Sequence, residues 1–173
     1  MFYSNSGKDD IKGDVLLKSG QNRLTAVFDY NNSQITIKNA NLRNSFTEGN
    51  FDGKIAIIPY FNFNLDMDLK RINLNKLHSF LTDLDEKNQK NLFKINNKIN
   101  GQINLSVNDI YSKYTFVNSF ESQLKFINGN ILFDRFLLKL GKLGAADITG
   151  AIRNEKKFTN FKFESNIFLD SLK

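Results

Sequence analysis

The sequence is poor in the residues that most often carry chemistry: it has no cysteine, no tryptophan and one histidine among 173 residues. Without cysteine the chain has no disulfide, no thiolate nucleophile and no cysteine-ligated metal, although this absence does not fix the compartment in which the protein works. The single histidine, His78, has no second histidine or cysteine with which to hold zinc. We interpret it as a surface or boundary residue.

Long apolar runs are also missing. No stretch approaches 18 consecutive apolar residues, so the sequence encodes no transmembrane helix. The first residues, MFYSNSGKDDIKGD, contain no apolar core of the kind that a signal peptide needs. If the protein works at a membrane, we expect its anchor to lie outside this segment.

The composition is nevertheless that of a folded protein, with 40% hydrophobic and 24% charged residues. The formal net charge is +6, and Phe, Asn, Lys and Ile are abundant. An AT-rich genome favours those four residues, so the net charge by itself is weak evidence for an anionic partner.

Alternation of apolar and polar residues is the dominant pattern, and this period of two predicts strands. In the longest example, Phe61–Lys70, the alternation is uninterrupted. The sequences Asn31-Asn32, Glu48-Gly49-Asn50 and Asn128-Gly129 are typical of turns. Further strands are predicted at Gly13–Lys18, Leu24–Tyr30, Ser33–Lys38, Lys54–Ile58, Gly101–Val107, Phe120–Ile127, Asn130–Leu140, Asp147–Arg153 and Phe158–Leu169. We therefore expect a mainly β fold, with an elongated, twisted and mostly antiparallel sheet.

One segment has the period of a helix instead. Apolar residues recur every three or four positions at Leu74, Leu77, Phe80, Leu81 and Leu84. The spacing predicts one short helix over about 75–85, and either Asn73 or Asn75 is a suitable N-cap.

An internal repeat surrounds this helix. Residues 11–18 resemble 99–106, and residues 33–40 resemble 122–129. We predict a first β repeat over 1–93 that ends in the helix and a second over 94–173, joined in one continuous sheet. Because each unit closes in the same way, we also expect the chain to be a segment of a longer protein.

The second unit is similar to a known family. Its sequences INGQINLSVNDI and FESQLKFINGNILFDRFLLKLGKLGAADITGAI resemble, in pattern and order, the carboxy-terminal region of AsmA-like, TamB-related envelope proteins. The resemblance implies an incompletely closed β-taco groove with an apolar interior. It also implies a place in the periplasm of a Gram-negative bacterium, tethered to the inner membrane by an anchor outside this chain. The implied function is lipid binding and phospholipid transfer between membranes during outer-membrane biogenesis.

Phospholipid acyl chains and flanking repeats of the same protein are the partners that this reading predicts. The alternative is a structural or interaction scaffold for outer-membrane protein assembly that conducts no lipid. The same apolar side chains would line a lipid groove or form a plain hydrophobic core. The groove candidates are Leu24, Ala26, Phe28, Ile35, Ile37, Phe61, Phe63, Leu65, Met67, Leu124, Phe126, Phe161 and Phe163.

Chemistry of other kinds has weak support. Asp66 and Asp68 project to one side of a strand, but their polar neighbours indicate a solvated face and not an acid–base pair or cation site. Residues 140–144, Leu-Gly-Lys-Leu-Gly, lack the spacing of a phosphate-binding P-loop. Lysines and phenylalanines interleave over 156–163, where strand alternation explains the spacing without nucleic acid. We predict no enzymatic activity, no cofactor, no metal and no nucleic-acid partner.

Overall fold

The computed structural model of the protein describes residues 2–4, 11–113, 116–155 and 158–170. These residues form one sheet of eleven strands, and spatial order follows sequence order. The strands are β1 (Phe2–Ser4), β2 (Ile11–Ser19), β3 (Asn22–Asn31), β4 (Gln34–Arg43), β5 (Thr47–Ala56), β6 (Asn62–Asn73), β7 (Asn100–Tyr111), β8 (Ser119–Ile127), β9 (Asn130–Lys139), β10 (Gly144–Asn154) and β11 (Thr159–Leu169). The predicted mainly β class is confirmed.

Neighbouring strands are antiparallel with one exception, the parallel pair β6 and β7. Antiparallel neighbours need only a tight turn, whereas parallel ones need a crossover that carries the chain back to the same end of the sheet. Residues 74–99 supply that crossover. As a result β2–β6 and β7–β11 are two antiparallel runs that start at the same end of the sheet.

The crossover contains two helices, α1 (Leu74–Thr82) and α2 (Glu86–Asn91). The side chain of Asn73 caps α1 by accepting a hydrogen bond from the backbone N–H of Lys76 at 3.0 Å. Asp85 caps α2 in the same way. The helix expected over about 75–85 therefore ends early, at Thr82, and a second helix follows it. Neither helix in the described ranges has the length and apolar character needed to cross a bilayer.

Directly opposed residues on paired strands project to the same side, so the register divides the sheet into two faces. We call the side that carries Phe63, Leu65 and Met67 the apolar face, and the side that carries Asn64 and Asp66 the polar face. The buried apolar side chains are all on the apolar face: Ala40, Leu69, Val107, Ile131, Ala146 and Ile152.

Little else is buried. The chain exposes 12572 Å², whereas a compact protein of 19.9 kDa exposes about 8,700 Å². The excess is what a single-layered sheet requires, since the described residues place no second layer along its length. The apolar face is therefore covered only in part by the described residues.

One local prediction was wrong. Glu48-Gly49-Asn50 is not a turn but part of β5, where a Cβ on Gly49 would lie 2.6 Å from the Cα of Leu69 in β6. Glycine is required there for close approach of two backbones and not for chain reversal. The connection between β9 and β10 contains a short 3-10 helix over Gly141–Leu143.

The internal repeat stays a prediction. Residues 11–18 and 99–106 lie in the first strands of the two runs, β2 and β7. Residues 33–40, however, lie mainly in the third strand of the first run, and 122–129 mainly in the second strand of the second run. The boundary predicted between residues 93 and 94 falls in the crossover.

Candidate functional site: an open apolar sheet face

The candidate groove residues are all on the apolar face. One cross-strand row illustrates this: Ile35 opposes Ile55, Ile55 opposes Phe63, and Phe63 opposes Gly101, which in turn opposes Phe126. The other candidates occupy neighbouring rows with the same parity. The register therefore joins candidates from five strands (β3, β4, β6, β8 and β11) and from the loop before β6 into one continuous surface.

Their burial matches neither a closed core nor a fully solvated surface. None of the candidates is buried, and most are half-buried. Phe61, Phe161 and Phe163 are exposed, at 40%, 51% and 46%. Exposed rings on a continuous apolar surface cost free energy in water, so this surface is suited to an apolar ligand.

Aromatic contacts organise the surface. The rings of Phe63 and Phe126 are 5.3 Å apart, those of Phe61 and Phe63 are 6.2 Å apart, and those of Phe133 and Phe163 are 5.2 Å apart. These separations are within the range of favourable ring pairs. The face is thus held by ring contacts that leave the outer surfaces of the rings accessible.

Sequence reasoning missed several aromatic members of this face, among them Phe133 and Phe136. Strict alternation puts residues three apart on opposite sides of a strand. A bulge at Asp134 shifts the register, so that Phe133 opposes Leu124 and Phe136 opposes Ser122, both on the apolar face. The available signal in the sequence was that Phe133 and Phe136 are three positions apart, a spacing that strict alternation would place on opposite faces.

The crossover contacts the apolar face at both ends of the sheet. At the end where β5 begins, Phe80 of α1 packs against Phe46 with ring centroids 5.3 Å apart. At the opposite end, Phe93 meets Phe161 edge to face at 5.6 Å, and Asn154 donates a hydrogen bond from Nδ2 to the backbone oxygen of Phe93 at 2.7 Å. Each contact secures one end of the crossover against the sheet.

On the polar face, Asp66 and Asp68 are part of a hydrogen-bonded network. Asp66 accepts a hydrogen bond from Asn104 Nδ2 at 2.6 Å, and Asp68 accepts from Ser106 Oγ at 2.9 Å and from Asn108 Nδ2 at 3.0 Å. They border a cleft of about 680 Å³. No group of three or more metal-binding side chains occurs within the described ranges.

The remaining candidate groups are at the surface or outside the described residues. His78 is an exposed residue of α1. Lys162 pairs with Glu164 across 3.6 Å on the edge strand β11. Lys156 and Lys157, part of the basic and aromatic sequence considered for nucleic acid, lie outside the described residues.

No family model matches the chain, and neither any curated protein nor any solved structure matches it. The resemblance to AsmA-like proteins therefore stays a prediction from the sequence.

Proposed function

We propose that the apolar face binds the acyl chains of phospholipids and that the chain is a lipid-binding or lipid-transfer segment. In this proposal it belongs to an AsmA-like envelope protein in the periplasm of a Gram-negative bacterium, tethered to the inner membrane by an anchor outside this chain. Its contribution is to phospholipid transport between membranes and to outer-membrane biogenesis.

One observation carries the proposal: the candidate apolar side chains of five strands share one face of the sheet, and none of them is buried. Burial of apolar area stabilises by about 25 cal/mol per Å². An acyl chain lying on the face would gain this free energy. Hydrocarbon forms no hydrogen bonds, so an apolar surface is sufficient to bind it. Phe61, Phe63 and Phe126 would contact it along one row.

The test is recovery of lipid with the purified chain. After mild extraction, native mass spectrometry should find phospholipid bound to the wild-type protein. Phe63→Glu should lose that lipid because a carboxylate is placed on the apolar face. Asn64→Glu, the adjacent residue on the polar face, is the matched control and should retain it.

Absence of phospholipid from the wild-type protein, together with unchanged folding of Phe63→Glu by circular dichroism, would rule out lipid contact on this face. Unfolding of Phe63→Glu would indicate that the face acts as an ordinary core. Phe126→Glu, at a second position on the same row, should lose the lipid in the same way.

A scaffold function is the second candidate, and the exposed edge of the sheet favours it. All described residues from Asn160 to Asp170 are exposed, so β11 presents a long row of backbone hydrogen-bonding groups on its outer side. An extended segment of a partner could add there as a further strand. The backbone oxygens of Lys162 and Phe168 face β10, so the backbone groups of Ser165 lie on the outer side of β11. Proline substitution of Ser165 should therefore block such pairing without changing lipid binding.

A further inference from the structure

A row of charged side chains crosses the first antiparallel run on the polar side. Lys18 of β2 opposes Arg23 of β3, Arg23 opposes Arg43 of β4, Arg43 opposes Glu48 of β5, and Glu48 opposes Arg71 of β6. Four of the five side chains are basic. They come from five strands, so the cluster exists only in the folded sheet.

Among the described residues, ion pairing neutralises only part of the positive charge of this row. Glu48, the one acidic member, pairs with Arg71 at 2.9 Å. Arg23 and Arg43 stand directly opposite each other, an arrangement that destabilises a sheet when nothing lies between the charges. Neither has an ion-pair partner among the residues that the structure describes.

The row borders a cleft of about 490 Å³ at the end of the sheet where β2 turns into β3. Lys76 from the first turn of α1 completes its basic lining, and Asn22, Asn44 and Ser45 add uncharged polar groups. No carboxylate is among the residues that line it. Arginine and lysine donors around one space are the arrangement that recognises phosphate oxygens. We call this space the basic cleft.

An apolar cleft of about 440 Å³ adjoins the basic cleft. The two share Lys18, Asn22, Arg23 and Asn44 at their rims. The walls of the apolar cleft come from the apolar face and from the α1 contact: Leu17, Leu24, Leu42, Phe46 and Phe80. A charged space and an apolar space with a common rim fit a ligand that has a phosphate group at one end and hydrocarbon at the other.

We propose that the basic cleft binds a phosphate group. Resting on the lipid-binding function proposed above, the group belongs to an anionic phospholipid whose acyl chains pass over the shared rim into the apolar cleft. Arg23 and Arg43 hold the phosphate between them, which relieves their mutual repulsion. The first antiparallel run thereby recognises the headgroup, and the apolar face takes the chains.

The experiment measures binding of two soluble probes by isothermal titration calorimetry with the full chain. Glycerol 3-phosphate carries the phosphate without hydrocarbon, and dihexanoyl phosphatidic acid carries both. Wild-type protein should bind both, and the lipid more tightly. Arg23→Gln/Arg43→Gln should weaken both by about tenfold or more, because each lost charge-assisted hydrogen bond is worth enough for that change.

The matched control is Arg135→Gln/Arg153→Gln, which removes the same charge from exposed arginines outside the basic cleft. It should bind both probes as the wild-type protein does. An equal loss in the control would show attraction by net charge alone and would overturn the site. Failure of the wild-type protein to bind either probe would overturn it as well.

A substitution in the apolar cleft distinguishes a lipid headgroup from free phosphate. Leu24→Gln makes the wall of the apolar cleft polar without adding a charge beside Arg23. It should weaken binding of the lipid and leave glycerol 3-phosphate unchanged. Equal affinity of the wild-type protein for the two probes would overturn the lipid headgroup and leave a site for free phosphate.

If Arg23→Gln/Arg43→Gln still co-purifies with phospholipid at the wild-type level, the proposed function stands and the headgroup site is wrong. The unfolding midpoint of this variant should not fall, because it removes a repulsion.

Discussion

The rings of Phe63 and Phe126 are 5.3 Å apart although their strands are not neighbours, since β7 lies between them and presents Gly101 at that point. A Cβ on Gly101 would lie 2.5 Å from the backbone oxygen of Phe63 and 2.6 Å from its Cδ1. The missing side chain makes room for the two rings to meet. The parallel junction between the two antiparallel runs is thus closed by an aromatic contact over a glycine.

This contact predicts that Gly101→Ala is destabilising. The added methyl group has no space without displacement of β6 or of the Phe63 ring, and overpacking of this kind costs about 1–3 kcal/mol. We expect a loss near the upper end of that range, measured by urea unfolding followed by circular dichroism.

Gly20→Ala is the control for this substitution. Nothing lies within 4 Å of a Cβ at Gly20, but its φ of +58° makes any side chain cost about 1 kcal/mol through the backbone. A Gly101→Ala variant no less stable than Gly20→Ala would contradict the close approach.

Val107 is the largest fully buried side chain in the described ranges, at 1% exposure. Val107→Ala should lower the free energy of unfolding by about 2 kcal/mol, since two buried methyl groups are lost and a cavity remains. Val27→Ala removes the same atoms from a strand position that is 46% exposed, and should change stability by less than about 0.5 kcal/mol. Similar losses in both variants would mean that this face has no local core.

The start of α1 offers a third test. Asn73→Ala should destabilise the protein by about 1 kcal/mol because it removes the acceptor for the N–H of Lys76. His78→Ala, on the exposed surface of the same helix, should be neutral within about 0.5 kcal/mol. Thermal unfolding of the two variants tests the cap, and an effect of Asn73→Ala no larger than that of His78→Ala would contradict it.

The carboxyl group of Asp29 should titrate abnormally. A hydrogen bond from the Lys38 ammonium group lowers the pKa of Asp29, burial opposes this shift, and the charges of Lys38 and Lys12 lower the pKa further. A carboxyl group whose pKa is lowered on folding adds stability above its unfolded pKa of about 3.9, and this stability is lost as the pH falls through the folded pKa.

Replacement of Lys38 by Met should therefore raise the pKa of Asp29 in an NMR titration of the side-chain carboxyl, and should reduce the dependence of stability on pH in the acid range. Lys12→Met should raise it less, because Lys12 acts only through its charge. Equal shifts in the two variants would show that the hydrogen bond is not the main cause.

Much of the fold was predictable because alternation was strong. The uninterrupted pattern over Phe61–Lys70 corresponds to β6 (Asn62–Asn73), and its apolar parity places Phe63 and Leu65 on the face where the structure has them. Gly49 was misread because glycine is favoured both in turns and where backbones approach closely. Only the position of Leu69 in the next strand distinguishes the two cases.

The basic cleft was not predictable from the sequence. Lys18 and Arg23 flank one turn, but Arg43 and Arg71 are distant along the chain, and each looks like an ordinary solvated residue of its own strand. Register brings them into one row, and the net charge of +6, which has an explanation in codon usage, gave no indication of where the charge would concentrate.

The sequence by itself determined that the chain is mainly β and which side chains along a strand share a face, because the period of two is a property of each strand alone. Strand order, the parallel pairing of β6 with β7, the bulge that brings Phe133 and Phe136 to one side and the pairing of Arg23 with Arg43 were decided only by the tertiary structure. These depend on which backbone groups bond to each other across strands, and no local pattern specifies that choice.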